Sequence, residues 1–346
     1  MLDYDPADEP LLIRNLITEL DPTKMAAALP CLPAYILFLC IRRADDVNDA
    51  RRLQSLLGAA ITAIKAVLQE SRGVELPSFW LANSLRLLHC LKQYSGDPGF
   101  TAQCSAQQKA QSLRHFDLAE YRELLGALCS SIYAQLCAAA GTQLQPMVVS
   151  AMLESQTLWA PKPMGSRSRS SHRGEWEASY TLQDLIGRLD ELYRVVSEHG
   201  LDPEVILQLF GQLLYRVSAV ALNHLLLSKE LCCWATGLQL RFNISQLEEW
   251  LHRRKLQHSG ALQALQPLIQ AAQLLQLNKK SQQDAQAICS HCTALSCQQL
   301  VKLLSLYTPL DDFEERVSVA FIRTVQVHDG SGPWGGQRHY GVRGGL

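Results

Sequence analysis

The segment from Leu231 to Leu277 has the pattern that most restricts the fold of this chain. Its apolar residues recur every three or four positions, with polar residues between them. This period places apolar side chains on one face of an α-helix, and that face must be buried against another element. The segment is therefore predicted to form two packed helices and the bend between them.

The ends of these two helices are predicted from capping signals. Ser245 and Glu248 have the spacing of a capping box, so one helix is expected to begin near Gln246. Gly260 marks the bend that follows it. In the second helix, Pro267 either produces a kink or stands in the first turn.

The same period continues through most of the chain, which predicts an all-α fold. Gly141 is expected to loosen the long helix predicted at residues 117–140. Further helices are predicted at residues 9–20, 53–70, 78–94, 117–140 and 181–200, and after the capping signals at Asp202, Ser281 and Ser296.

Composition indicates a globular protein in a reducing compartment. Apolar residues make up 47% of the chain, and the net charge of −1 gives no general attraction to nucleic acid or to an anionic membrane. The eleven cysteines are odd in number and scattered through helical patterns, so free, buried thiols are expected. The chain opens without the pattern of a signal peptide, and its longest apolar run, at residues 32–41, is too short to span a membrane. These features predict a cytoplasmic protein.

Two segments interrupt the helical pattern. Residues 161–180 are basic and serine-rich, which predicts an exposed loop with possible phosphorylation at Ser168, Ser170 or Ser171. The alternative is a solvated loop without a regulatory role. Residues 328–346 are glycine-rich and lack an apolar period, so they are predicted to be disordered.

Residues of catalytic or metal-binding type do not form a recognisable motif. Cys289, His291, Cys292 and Cys297 come nearest to a metal site, but zinc needs four converging ligands and this set is better explained by packed thiols. Phosphate-binding loops, zinc-protease motifs and hydrolase nucleophile motifs are missing from the sequence. We therefore predict a non-enzymatic protein without a metal, cofactor or catalytic residue.

Several longer motifs are similar to the cargo-binding globular tail of class V myosins, also called the dilute domain. They include LPAYILFLCIR from residue 32, LQPMVVSAMLES from residue 144, PLIQAAQLLQL from residue 267 and LYTPLDDFEERVSVAFIRT from residue 306. The resemblance extends from Met1 to about Gln326.

This resemblance implies an elongated rod of two helical subdomains, at 1–160 and 181–327, with the dilute domain at about 50–327. It also implies binding of adaptor proteins and of the Rab-family small GTPase of recycling endosomes, with Phe242 and Gln276 among the contacts to the Rab. The family's usual tyrosine is replaced here by Phe242, which removes one hydrogen bond worth about 0.5–1.5 kcal/mol.

The chain departs from the family in two respects. It has no motor, neck or coiled-coil pattern, so ATP hydrolysis and direct actin binding are not expected, and membranes would be reached only through a Rab or an adaptor. The glycine-rich tail replaces the family's final segment, which packs across the first subdomain, and its loss is expected to lower stability. A free tail of this kind would compete with intact motors for cargo. The alternative hypothesis is a degenerate, truncated copy with no stable fold or partner.

Overall fold

The computed structural model of the chain describes residues 1–25, 29–102, 104–154, 180–309 and 316–330. All regular secondary structure within these ranges is helical, which confirms the predicted all-α fold class. Before the serine-rich segment the α-helices are, in order, α1 (Glu9–Ile13), α2 (Pro22–Met25), α3 (Leu32–Asp46), α4 (Ala50–Gln69), α5 (Glu75–Gln93), α6 (Pro98–Thr101), α7 (Ala106–Ala110) and α8 (Ala119–Val149). After it come α9 (Leu182–Glu198), α10 (Pro203–Leu227), α11 (Trp234–Arg253), α12 (Ala261–Gln276), α13 (Gln282–His291), α14 (Cys297–Leu306) and α15 (Val319–Gly330).

The chain divides into two compact units. The first unit combines Met1–Ala140 with Glu191–Ile206, and the second combines Gly141–Asp190 with Leu207–Leu346. The subdomain limits predicted from the sequence, 1–160 and 181–327, remain a prediction.

Three capping signals of the second half are confirmed, at Thr181, Ser281 and Ser296. Thr181 Oγ1 accepts the backbone N–H of Asp184 at 3.2 Å, and the Asp184 carboxylate accepts the N–H of Thr181 at 2.7 Å. Ser281 and Ser296 each form a complete capping box, at the starts of α13 and α14. These serines and threonines satisfy N–H groups that a helix leaves unpaired in its first turn.

The expected loosening at Gly141 is wrong, because α8 continues through it to Val149 and is followed by a π-helical turn at Ser150–Glu154. A Cβ atom on Gly141 would lie 1.7 Å from the Arg216 guanidinium, so this glycine allows a side chain to pack closely. Pro146 also lies inside the helix. Proline removes one backbone donor, and a π-turn near it is a common adjustment of the hydrogen-bond ladder.

At the other end of the chain, α15 extends to Gly330, three residues into the segment predicted to be disordered. Residues 331–346 lie outside the described residues, as do Ser168, Ser170 and Ser171.

In the first unit, Asp45 ties the end of α3 to the segment before α8. Asp45 is 4% exposed, and its carboxylate accepts the backbone N–H groups of residues 114, 115 and 116 at 2.8, 3.0 and 3.2 Å. The carbonyl oxygen of Asp45 also lies 2.7 Å from Nδ1 of His115. A buried carboxylate is tolerated when its oxygens are hydrogen-bonded in this way.

His199 is a buried histidine of the first unit. Its Nδ1 lies 3.0 Å from the Ser78 hydroxyl, and its Nε2 lies 3.5 Å from a carboxylate oxygen of Glu75. Burial lowers the pKa of His199 below its ordinary value, although the nearby charge of Glu198 opposes this shift. The Glu75 contact would favour the imidazolium, but burial also raises the pKa of Glu75, so we expect burial to dominate.

We expect stability to fall as the pH is lowered from about 6.5, the ordinary histidine pKa, towards the lower pKa of folded His199. In that window the unfolded chain binds a proton that the folded chain does not, so protonation favours unfolding. Urea unfolding over this pH range measures the effect, and His199→Gln should have a shallower slope than the wild type. Equal slopes for the two proteins would show that His199 is not responsible.

Two helices are long and apolar enough to cross a membrane by length and composition. They are α8 with its π-turn, Ala119–Glu154, and α10, Pro203–Leu227. Polar residues divide both helices, so neither contains a long uninterrupted apolar run. Core helices of soluble proteins can have the same length and apolar composition.

Candidate partner-binding site

The region around Phe242 is one continuous helix, α11, from Trp234 to Arg253. The prediction that a helix begins near Gln246 is therefore wrong. Ser245 does not cap a helix: its hydroxyl donates to the backbone carbonyl of Phe242, three residues earlier, at 2.7 Å. This is an alternative use of a serine inside a helix, where it bonds back to the preceding turn.

Gly237, in the first turn of α11, packs closely against α12. A Cβ atom on Gly237 would lie 2.8 Å from Cβ of Leu275 and 2.9 Å from the carbonyl oxygen of Ala272. Only a hydrogen fits between the two backbones at this position. The glycine thus sets how closely α11 and α12 approach, and the packing offsets its low helix propensity.

Alanine at Gly237 is expected to lower the stability of the chain, whereas alanine at Gly58 is expected to raise it. Gly58 is exposed in α4 and has no neighbour within 4 Å of an added Cβ. Gly237→Ala should lower the free energy of unfolding by about 1–3 kcal/mol through overpacking. Gly58→Ala should raise it by roughly 0.5–1 kcal/mol, because alanine favours a helix interior. Chemical denaturation of both variants measures the difference. A stabilised Gly237→Ala variant would contradict the packing described here.

The inner face of α11 is fixed by a buried amide, Asn243, which is 1% exposed. Its Nδ2 donates to the carbonyl oxygens of Ala151 at 3.3 Å and Met152 at 3.1 Å, in the π-turn after α8. Its Oδ1 accepts Nε2 of Gln239 at 2.9 Å. The carbonyl groups of the π-turn are thereby satisfied, and α11 is held next to them.

A second anchor lies at the C-terminal end of α11. Asp190 accepts hydrogen bonds from Nε1 of the buried Trp250 at 2.5 Å and from Nε of Arg254 at 2.9 Å. The bond to Arg254 lowers the pKa of Asp190, with a smaller contribution from Trp250. The two anchors, one at the middle of α11 and one at its C-terminal end, hold the helix in the second unit.

The outer face of α11 exposes three large apolar side chains. Trp234, Leu238 and Phe242 are 42%, 44% and 52% exposed. Their spacing of four residues places them in one row along the helix, which we call the α11 stripe. Exposed apolar rows of this kind commonly mark interaction surfaces.

Gln276, the other predicted contact residue, lies at the end of α12 and is half-buried. Its Nε2 donates to the carbonyl oxygen of Ala272 at 3.0 Å, and its Cγ would lie 3.2 Å from a Cβ on Gly237. Gly237 precedes Leu238 of the α11 stripe and is five residues, or about 7.5 Å of helix axis, before Phe242. Gln276 therefore packs against α11 beside the stripe, while its contact with a partner remains a prediction.

Sequence reasoning missed Trp234 and Leu238 as members of this surface. The available signal was their spacing from Phe242, but it has meaning only if the helix begins at Trp234. The predicted helix start near Gln246 left both residues outside the helix.

The cysteines considered for metal binding are placed in packing roles. The Cys289 thiol lies 3.7 Å from the carbonyl oxygen of Val325 in α15, and the buried Cys292 thiol lies 4.0 Å from that of Gln270. Burial raises the pKa of Cys292 to about 11, which disfavours the thiolate that a metal requires. Across the ranges that the structure describes, no three His, Cys, Asp or Glu side chains are placed to hold a metal ion.

The α11–α12 pair, with the exposed α11 stripe, lies in an all-α part of the chain. Residues 208–311, which include both helices, match the family model described as the DIL domain. Along 94% of its length the chain is similar to class V myosins, which confirms the resemblance seen in the sequence.

Comparison with particular relatives agrees with this assignment. Unconventional myosin-Vb of Homo sapiens is 56% identical over 331 residues, which are 94% of this chain and 18% of that protein. The chain therefore spans about a fifth of that relative's length. A solved structure of a myosin V cargo binding domain has a TM-score of 0.67 at 23% identity, covering 93% of this chain and 83% of that one. The structure of Myo2-GTD in complex with Mmr1 has a TM-score of 0.70 at 23% identity, covering 93% and 81%.

Proposed function

We propose that this chain is a non-catalytic cargo-binding tail that binds a Rab-family small GTPase of recycling endosomes, together with adaptor proteins, in actin-based vesicle transport. The exposed α11 stripe is the observation that carries the proposal. Similarity to class V myosin tails supports a cargo-binding role, and the stripe provides an exposed apolar and aromatic surface for a protein partner.

The composition of the stripe suits a protein interface. Tryptophan and other aromatic residues are enriched among the residues that contribute most to binding. The two anchors at Asn243 and Asp190 hold the helix in place before a partner arrives, so little ordering is needed on binding. Gln276 beside the stripe offers polar groups at the edge of this apolar surface.

A GTPase partner implies selectivity for its nucleotide state. The switch segments of small GTPases are ordered by the γ-phosphate of GTP and released on hydrolysis. A rigid apolar row can bind the ordered form without much cost, whereas the released form must first be ordered. We therefore expect the GTP-loaded Rab to bind in preference to the GDP-loaded form.

Adaptor proteins are proposed as a second class of partner. The related Myo2-GTD has been solved in complex with Mmr1, which supports adaptor binding by tails of this fold. Through a Rab or an adaptor the chain would reach vesicles and recycling endosomes from the cytoplasm, without direct contact with lipid, actin or nucleic acid. In this role it would compete with intact motors for the same cargo.

A pull-down tests the proposal. The full chain is immobilised and offered a recycling-endosome Rab loaded either with a non-hydrolysable GTP analogue or with GDP. Retention of the GTP form is expected, and loss of retention in both nucleotide states would refute Rab binding. A thermal melt followed by circular dichroism accompanies it: a cooperative transition is expected, whereas a broad one would favour a degenerate copy without a stable fold.

A further inference from the structure

A separate groove lies in the first unit, between α5 and the turn that leads into α10. Its volume is about 270 Å³, and Leu85, Arg86, His89 and Lys92 of α5 line one side. Gly200, Asp202 and Val205 line the other. The groove does not involve the α11 stripe, which belongs to the second unit.

The α5 side of this groove is positively charged. Arg86, His89 and Lys92 are three residues apart, so they follow one another along the same face of the helix. Neither Arg86 nor Lys92 forms an ion pair with a carboxylate in the part of the chain that is described. The cations therefore face the groove with their charge available to an anionic group.

The acid of the groove, Asp202, has a structural role at the start of α10. Its carboxylate accepts the backbone N–H of Glu204 at 2.9 Å, as an N-cap does. Two permanent cations thus face one carboxylate that is already hydrogen-bonded. The charge complementary to this groove is negative.

An exposed aromatic ring extends the groove beyond Lys92. Phe100 is 43% exposed, and its ring centroid lies 5.7 Å from Nζ of Lys92 and 5.8 Å from the guanidinium carbon of Arg122. Arg122 is itself held by Asp117 at 3.4 Å. Lys92 therefore borders both the groove and an aromatic platform.

We propose that this surface, which we call the α5 groove, binds an acidic peptide segment of a partner protein that also carries an apolar or aromatic side chain. Arg86 and Lys92 would pair with its carboxylates, and Leu85, Val205 and the Phe100 ring would contact its apolar side chain. The apolar part of the lining distinguishes such a peptide from a bare anion such as phosphate, which would leave that part unoccupied. The chain would then engage two partners through separate units.

Fluorescence anisotropy with a labelled synthetic peptide, EELFEE, tests the proposal on the full chain. Binding is expected, and the matched neutral peptide QQLFQQ should bind at least about tenfold more weakly, because it cannot pair with the cations. Lys92→Glu should also weaken EELFEE binding by at least about tenfold, since a like charge then faces the peptide. Lys92 is exposed, so this variant is expected to fold, and circular dichroism verifies it.

The matched control is Lys65→Glu, the same change at an exposed lysine of α4 that lies outside the α5 groove. It should leave the affinity for EELFEE unchanged. Equal weakening by Lys65→Glu and Lys92→Glu would mean general electrostatic attraction and would overturn the proposal. Equal binding of EELFEE and QQLFQQ, or of wild type and Lys92→Glu, would overturn it as well. The Rab pull-down uses a different surface, so either proposal can fail without the other.

Discussion

Asp45→Ala is expected to lower the free energy of unfolding by about 3–5 kcal/mol, the range for removing one partner of a buried charged network. The reason is the set of three backbone N–H groups, at residues 114–116, that share this one carboxylate at 2.8–3.2 Å. Alanine leaves all three without their acceptor in a site where Asp45 itself is 4% exposed. The variant should weaken the connection between α3 and the segment before α8, and keep only the contact of the residue-45 carbonyl oxygen with His115.

Asp45→Asn is the matched variant, because its amide keeps one oxygen acceptor and nearly the same volume. It should destabilise the chain less than alanine does, since at least one N–H group remains paired. Urea denaturation of the wild type and the two variants, followed by circular dichroism, gives the order of their free energies of unfolding. If alanine and asparagine variants were both as stable as the wild type, Asp45 would not hold this segment.

Trp234→Ala is expected to weaken binding of the GTP-loaded Rab by about 30-fold or more, equivalent to roughly 2 kcal/mol for a central aromatic residue of an interface. The indole is 42% exposed at the start of the α11 stripe, so its removal should not disturb the core. Isothermal titration calorimetry measures the loss. Tyr215→Ala, which removes another exposed aromatic side chain from the second unit, is the control and should leave the affinity unchanged.

Phe242→Tyr tests the same surface through a substitution that is expected to strengthen binding. It restores the hydroxyl group that the family's usual tyrosine carries, and we expect a gain in affinity of about 2- to 12-fold for one added hydrogen bond. If Tyr215→Ala weakened binding as strongly as Trp234→Ala, the α11 stripe would not be the site. Unchanged affinity in both Trp234→Ala and Phe242→Tyr would exclude it as well.

The sequence was most informative where structure depends on neighbours along the chain. Thr181, Ser281 and Ser296 carry capping signals within four residues, and each begins the helix that it predicts. Ser245 carries the same signal and lies inside a helix. The difference is that residues before Ser245 are also held in helical form, by contacts that sequence spacing does not reveal.

Those contacts are long-range. Gly237 packs against α12, and Gly141 packs under Arg216 of α10, so both glycines serve close approach rather than chain breaks. The pairing of Asp45 with residues 114–116 joins positions about seventy residues apart and leaves no local pattern. Phe242 and Gln276 of the candidate site were predicted from the sequence. The α11 stripe was not, because it requires α11 to begin at Trp234.

Hydrogen–deuterium exchange of the full chain, with and without the GTP-loaded Rab, tests the central claim that α11 is the partner surface. We predict slower exchange in peptides covering residues 234–245 and the end of α12, and no change with the GDP-loaded Rab. Binding removes water from the stripe and suppresses local opening of the helix beneath it. Protection confined to the first unit, with α11 exchanging as it does in the free chain, would contradict the account.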